Sequence, residues 1–161
     1  MSDYKEFDPK LHEESDFKAK ALATHFLTQL KSPNLKITKP LSYQQEAYKD
    51  WDFFLFDEDK QKEVYVEVEC KKVWKKSGEW QGWPTIDIPY RKKDSKADIF
   101  IMTNYYFDTI LVTPMHNILN AKVVEKDTIY TRQEEFFSVS VAKFRLFYLE
   151  CNRWLEGSIS F

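Results

Sequence analysis

With 161 residues, 43% of them hydrophobic and 17% aromatic, the chain has enough apolar material for one domain, 1–161, with its own core. Thirteen Phe, nine Tyr and five Trp against three Gly exclude a disordered or low-complexity chain. The net charge of −2 gives no global sign of nucleic-acid binding, and no apolar run approaches the ~20 residues of a membrane span.

The opening residues, MSDYKEFDPKLHEESD, are polar and acidic with no apolar h-region, so neither a signal peptide nor a membrane partner is expected. Residues 1–14 read as a flexible or loosely packed N-terminus. Ser15-Asp16 then caps a predicted helix from Phe17 to about Leu30, with Phe17, Ala21, Phe26 and Leu30 toward the core. A short strand is predicted around Leu35–Thr38, ended by Pro40, and Ser42–Lys49 reads as a turn or short helix. Trp51–Phe56 reads as a strand, Asp57–Lys60 as its turn and Glu63–Lys71 as the return strand. In the return strand Val64, Val66, Val68 and Cys70 point to one face, and Tyr65, Glu67, Glu69 and Lys71 to the other. From Lys72 to Lys96 the pattern is irregular. Strands follow at Ala97–Thr103 and Thr109–Val112, and Thr113-Pro114 fits an N-cap with proline at the first position of a helix toward Ala121. Phe136–Val141 reads as a further strand. Phe144, Phe147, Tyr148, Cys151, Trp154 and Leu155 recur at helical spacing and predict a final core helix.

The chemistry suggested by this order begins at the hairpin. Hydrolysing a phosphodiester near neutral pH needs an activated water and neutralisation of developing charge. A hard cation such as Mg²⁺ (or Mn²⁺) supplies both and prefers carboxylate oxygens. If the two strands pair, Asp52 and Glu69 lie toward the same end of the hairpin and offer such ligands, with the Cys70 backbone carbonyl as a further oxygen. Lys71, two residues from Glu69, shares its face and is suited to orienting the water and stabilising the anion. Asp50 has the same strand parity as Asp52 and is the alternative first carboxylate.

Asp52 followed by Glu69-Cys70-Lys71 resembles the Asp…Glu-X-Lys signature of the PD-(D/E)XK, or restriction-endonuclease-like, nuclease superfamily. The resemblance covers roughly Asp16 to Thr103. It implies an α/β fold with a mixed central β-sheet flanked by helices, Mg²⁺ held by Asp52 and Glu69, and Lys71 assisting the water. Two departures stand out: Trp51 occupies the place of the family's proline, and no regular helix is legible after the Glu-X-Lys strand. Some members also draw a ligand from the first helix, for which Glu13, Glu14 and Glu46 are candidates. The competing reading is that Glu-X-Lys is the solvated face of an ordinary antiparallel hairpin.

Between Lys71 and Lys96 eight basic residues stand against Glu79, Asp87 and Asp94, so the segment carries +5 and the remainder −7. Lys72, Arg91, Lys92 and Lys93 are the candidates for binding nucleic acid, DNA ahead of RNA, through its phosphates. Tyr90 or the nearby Trp74, Trp80 and Trp83 are candidates for base stacking, the Trp residues being read first as packing over the sheet. His12, His25 and His116 have no metal-ligand spacing and read as structural. Cys70 and Cys151 show neither zinc nor disulfide-framework spacing and read as buried, reduced thiols of a cytoplasmic protein.

Three functions compete: a Mg²⁺-dependent nuclease acting on DNA, an inactive module of the same fold binding nucleic acid or protein, and an unrelated α/β interaction protein. The small size leaves sequence specificity to a homodimer, a partner protein or insertions.

Overall fold

The computed structural model describes residues 9–30, 35–37, 53–57, 61–128 and 132–160; of these, 9–13, 30, 35–37 and 53–57 enter by their backbone only. Helix α1 (Pro9–Leu30) begins eight residues before the sequence expectation. Proline suits the first turn of a helix because it has no N–H to leave unsatisfied. Ser15 and Asp16 are therefore helical, and Asp16 instead pairs with Lys20 one turn on, at 2.7 Å. The face that α1 buries is Ala19, Leu22, Ala23 and Phe26. Phe17 and Ala21 lie off that stripe and are exposed, contrary to expectation.

The main sheet has seven strands in the order β1-β2-β3-β5-β6-β9-β10. They are β1 (Leu35–Ile37), β2 (Phe53–Asp57), β3 (Lys62–Cys70), β5 (Ile99–Thr103), β6 (Thr109–Pro114), β9 (Arg145–Glu150) and β10 (Arg153–Gly157). Every neighbouring pair is antiparallel except β3 and β5, which run parallel with Glu69 beside Met102. A parallel pair needs a crossover, and here it contains β4 (Thr85–Pro89) and a 3-10 turn at Tyr90–Asp94. β4 belongs to a second sheet, β4-β8-β7, with β7 (Lys122–Lys126) and β8 (Glu134–Ser140).

The core lies in two layers. On one face of the main sheet, Val66, Val68, Ile101, Ile110 and Phe147 pack against the buried stripe of α1. On the other, Phe100, Met102, Leu111 and Leu146 meet Ile86, Ile88, Phe137 and Val139 of the small sheet, with Trp74 and Trp80 among them. Helix α2 (Met115–Leu119) adds Met115 and Ile118 to this second layer. A main sheet buried on both faces explains why its strands are apolar on both sides. The fold is mixed α/β and dominated by strands. Among the described residues the second face is covered mainly by the small sheet, with the short α2 beside it, so of the expected flanking helices only α1 is long.

The expected final helix is instead the hairpin β9–β10. Glu150 pairs with Arg153, and the two turn residues Cys151 and Asn152 both have positive φ, at 49° and 65°. That is the backbone of a tight hairpin turn whose twist matches the strands it joins. Leu146 faces the small sheet and Phe147 faces α1, an alternation that helical spacing conceals. Arg145 closes the hairpin with two bonds to Glu156, Nε–Oε1 at 3.0 Å and Nη2–Oε2 at 2.6 Å. The turn leaves Cys151 exposed, and Cys70 is half-buried, so only Cys70 approaches the expected buried thiol. Strands β4 and β7 were not legible as strands. Helix α2 is shorter than expected: Pro114 takes the cap position, and the Thr113 hydroxyl donates to the Lys143 carbonyl at 2.8 Å. No helix among the described residues is long and apolar enough to cross a membrane.

Candidate active site

The antiparallel rungs of β2 and β3 run from Asp57–Lys62 to Phe53–Val66, and β3 continues to Cys70 along β5. The valine face of β3 packs on α1, so Glu67, Glu69 and Lys71 project to the side of the small sheet. Each then meets a different environment.

Glu67 is buried and fully engaged. Lys92 Nζ lies 2.5 Å from its Oε1, and the Ser95 hydroxyl donates to its Oε2 at 3.0 Å. Both partners come from the 3-10 turn and the residue after it, which are thereby anchored on β3. This pairing revises the expected role of Lys92, whose ammonium is committed to a carboxylate.

Glu69 is half-buried, and its Oε2 is sequestered without a hydrogen-bond partner among the described residues. Lys71 follows just past the strand, its N–H donating to the Thr103 carbonyl at 2.8 Å. Burial pushes the Lys71 ammonium below its ordinary pKa, while the charges of Glu69 and Asp87 oppose that shift. Lys71 Nζ also stands 5.9 Å from the centre of the Trp83 ring.

Asp87 is the residue that sequence reasoning did not single out. Its Oδ2 accepts from Lys126 Nζ at 2.7 Å, while Oδ1 is buried without a partner among the described residues. Two carboxylates, Glu69 and Asp87, therefore act electrostatically on one lysine, and each has one buried oxygen without a hydrogen-bond partner among the described residues. Such oxygens are costly unless something satisfies them, and a hard cation takes oxygen ligands of this kind. The only sequence signal was Asp87 between Ile86 and Ile88, the alternation of a strand with one buried face.

Glu46, Asp50 and Asp52 lie outside the described residues, as do the side chains of His12 and Glu13. Among the described residues, no group of three or more His, Cys, Asp or Glu is placed to hold a metal ion. Cys70 ends β3 with its thiol toward the Asn104 carbonyl, 3.7 Å away, and burial raises its pKa. Arg91 and Lys93 are exposed, Lys93 Nζ lying 5.2 Å from the Tyr90 ring centre, and Lys72 is exposed. Tyr90 packs on Phe137 with ring centres 5.1 Å apart, so it is not a free stacking surface. Trp74 and Trp80 are buried, as the packing reading expected, while Trp83 is partly open. His25 Nδ1 accepts from the Trp154 indole at 2.9 Å, and His116 is exposed on α2. Comparison of the chain with protein-family models, with curated proteins and with solved structures finds no match in any of the three.

Proposed function

We propose that the chain is a metal-dependent nuclease that hydrolyses phosphodiester bonds in DNA. Asp52 and Glu69 would hold Mg²⁺ or Mn²⁺, with Asp87 as a further oxygen donor and the Cys70 carbonyl as another. The observation that carries this reading is the pairing of a buried Glu69 oxygen, without a hydrogen-bond partner among the described residues, with a half-buried Lys71 on the same face of β3. The strand pattern supports it as well: a hairpin bearing the motif, then a crossover to a parallel neighbour, β5.

The bound cation would supply neutralisation of phosphate charge and a lowered pKa for water. Lys71, partly desolvated, donates to an anionic oxygen more strongly than a solvated lysine does. Arg91 and Lys93 on the 3-10 turn, with Lys72 beyond the strand, bind flanking phosphates. The Glu67–Lys92 ion pair holds that turn against β3 and is a positioning device.

Plasmid and single-stranded DNA incubated with the protein and Mg²⁺ or Mn²⁺ test the reading directly. Cleavage is expected in wild type and lost in Glu69→Ala and Asp52→Ala. Divalent cation should also raise the melting temperature of wild type by mass action on the folded state, and not that of Glu69→Ala. DNA binding without cleavage in either metal would leave the inactive binding module as the function.

A further inference from the structure

Beyond Lys71 the chain leaves β3 as a loop that is both basic and aromatic. Residues 71–83 contain Lys71, Lys72, Lys75 and Lys76 against Glu79 alone, a net +3. The loop is fastened to the turn between β5 and β6. The Tyr105 N–H donates to the Trp74 carbonyl at 2.8 Å, Asn104 Nδ2 to the Lys76 carbonyl at 2.8 Å, and the Gly78 N–H to Thr109 Oγ1 at 2.7 Å. Trp74 pins it from below, fully buried and edge-on to Trp80 at 5.0 Å.

This rigid base leaves three rings uncovered: Trp83 is 39% exposed, Tyr105 48% and Tyr106 54%. Tyr105 and Tyr106 meet edge to face, 5.3 Å apart, and Lys75 Nζ stands 5.2 Å from the Tyr105 ring centre. Lys72 and Lys75 have no ion pair among the described residues. The loop and the turn it is fastened to thus carry two cation–ring pairs, Lys71 with Trp83 and Lys75 with Tyr105, and Tyr106 stands beside Tyr105.

Exposed rings beside lysines match one polyanion in particular. A duplex hides the faces of its bases, whereas an unpaired strand offers them for stacking and its phosphates for ion pairing. We infer that this ridge binds single-stranded nucleic acid, bases stacking on Tyr105 and Tyr106 and phosphates lying against Lys72 and Lys75. The strand would then lead to Glu69 and Lys71; that last step rests on the nuclease reading, while the binding does not.

Fluorescence anisotropy in EDTA, with a labelled oligothymidylate of about 20 nucleotides and a duplex of equal length, measures binding apart from cleavage. Wild type should bind the single strand more tightly than the duplex. The double change Tyr105→Ala/Tyr106→Ala should weaken single-strand binding by about 5- to 160-fold for each stacked base lost, while Tyr105→Phe/Tyr106→Phe retains it. Lys72→Ala/Lys75→Ala should flatten the log–log salt dependence by roughly 1.4. All four substituted side chains sit at the surface, and thermal melts confirm that the variants fold. Unchanged single-strand affinity in the folded alanine pair, equal binding of duplex, or no binding by wild type at low salt would each overturn the inference. Strand binding that depends on both tyrosines, with no cleavage in any metal, would instead sink the nuclease reading alone.

Discussion

Asn104 offers the sharpest test of how the fold anchors the loop that follows β3. The side chain is fully buried at the end of β5 and makes four hydrogen bonds. Its Nδ2 donates to the Lys76 carbonyl (2.8 Å) and to Asp108 Oδ1 (2.7 Å), and its Oδ1 accepts from the N–H groups of Asp108 (3.0 Å) and Thr109 (3.1 Å). In Asn104→Ala the buried Thr109 N–H loses its partner where water has no access, costing about 2 kcal/mol. The Lys76 carbonyl and Asp108 N–H sit nearer solvent, and each adds about 0.5–1 kcal/mol. The sum, roughly 3–4 kcal/mol, corresponds to a melting-temperature fall of about 6–16 °C for a domain of this size. Asn104→Asp keeps both acceptor bonds but sets a second carboxylate against Asp108 Oδ1. It should be destabilised at neutral pH and recover as the pH falls and one carboxyl is protonated. Urea denaturation of the three proteins at pH 7 and pH 4.5 measures both effects. A loss under about 1 kcal/mol in Asn104→Ala, or no recovery of Asn104→Asp in acid, would refute the assignment of this residue as the clamp between the 71–78 loop and the β5–β6 turn.

Lys71→Ala should spare metal affinity, since an ammonium is not a ligand, and lower any cleavage rate by about 10²–10³; full activity would move the catalytic role elsewhere. The same lysine carries a stability signature. Its folded pKa is depressed below 10.5, so between that folded value and 10.5 the unfolded chain binds the extra proton and stability rises with pH. Wild type should therefore gain on Lys71→Met across that window, and a constant gap up to pH 10.5 would contradict the burial effect. Arg91→Ala/Lys93→Ala, which leaves the Glu67–Lys92 pair intact, should flatten the salt dependence of DNA binding by roughly 1.4–1.8; superimposable curves would make the 3-10 turn a structural element only. Cys151, exposed at the β9–β10 turn, should react with a thiol reagent at pH 8 well before Cys70, whose pKa burial raises, and equal rates would count against that placement.

Local alternation was enough to fix β3 in the sequence, because valine at every second position leaves one register that buries them. It also put Glu69 and Lys71 on a shared face, since period two is a property of the extended backbone itself. The strands at β5, β6 and β8 were legible for the same reason, one side of each segment being continuously apolar, whereas of the face expected for α1 only Phe26 is buried among the described residues.

What the sequence left open depends on residues far apart in the chain. Phe144 to Leu155 satisfies helical spacing as well as it satisfies two strands. The choice falls to β6, already in the sheet, which offers β9 an edge and pairs Ile110 with Phe147. β4 is a strand because β8 pairs with it more than forty residues later, and that pairing alone brings Asp87 within the field of Lys71. Lys92 looked like a free cation in a basic run, and only the crossover from β3 to β5 folds it back onto Glu67. Secondary-structure period is written in neighbours, but ion pairs and sheet edges are made between segments. A carboxylate's partner is therefore decided by the topology that delivers it.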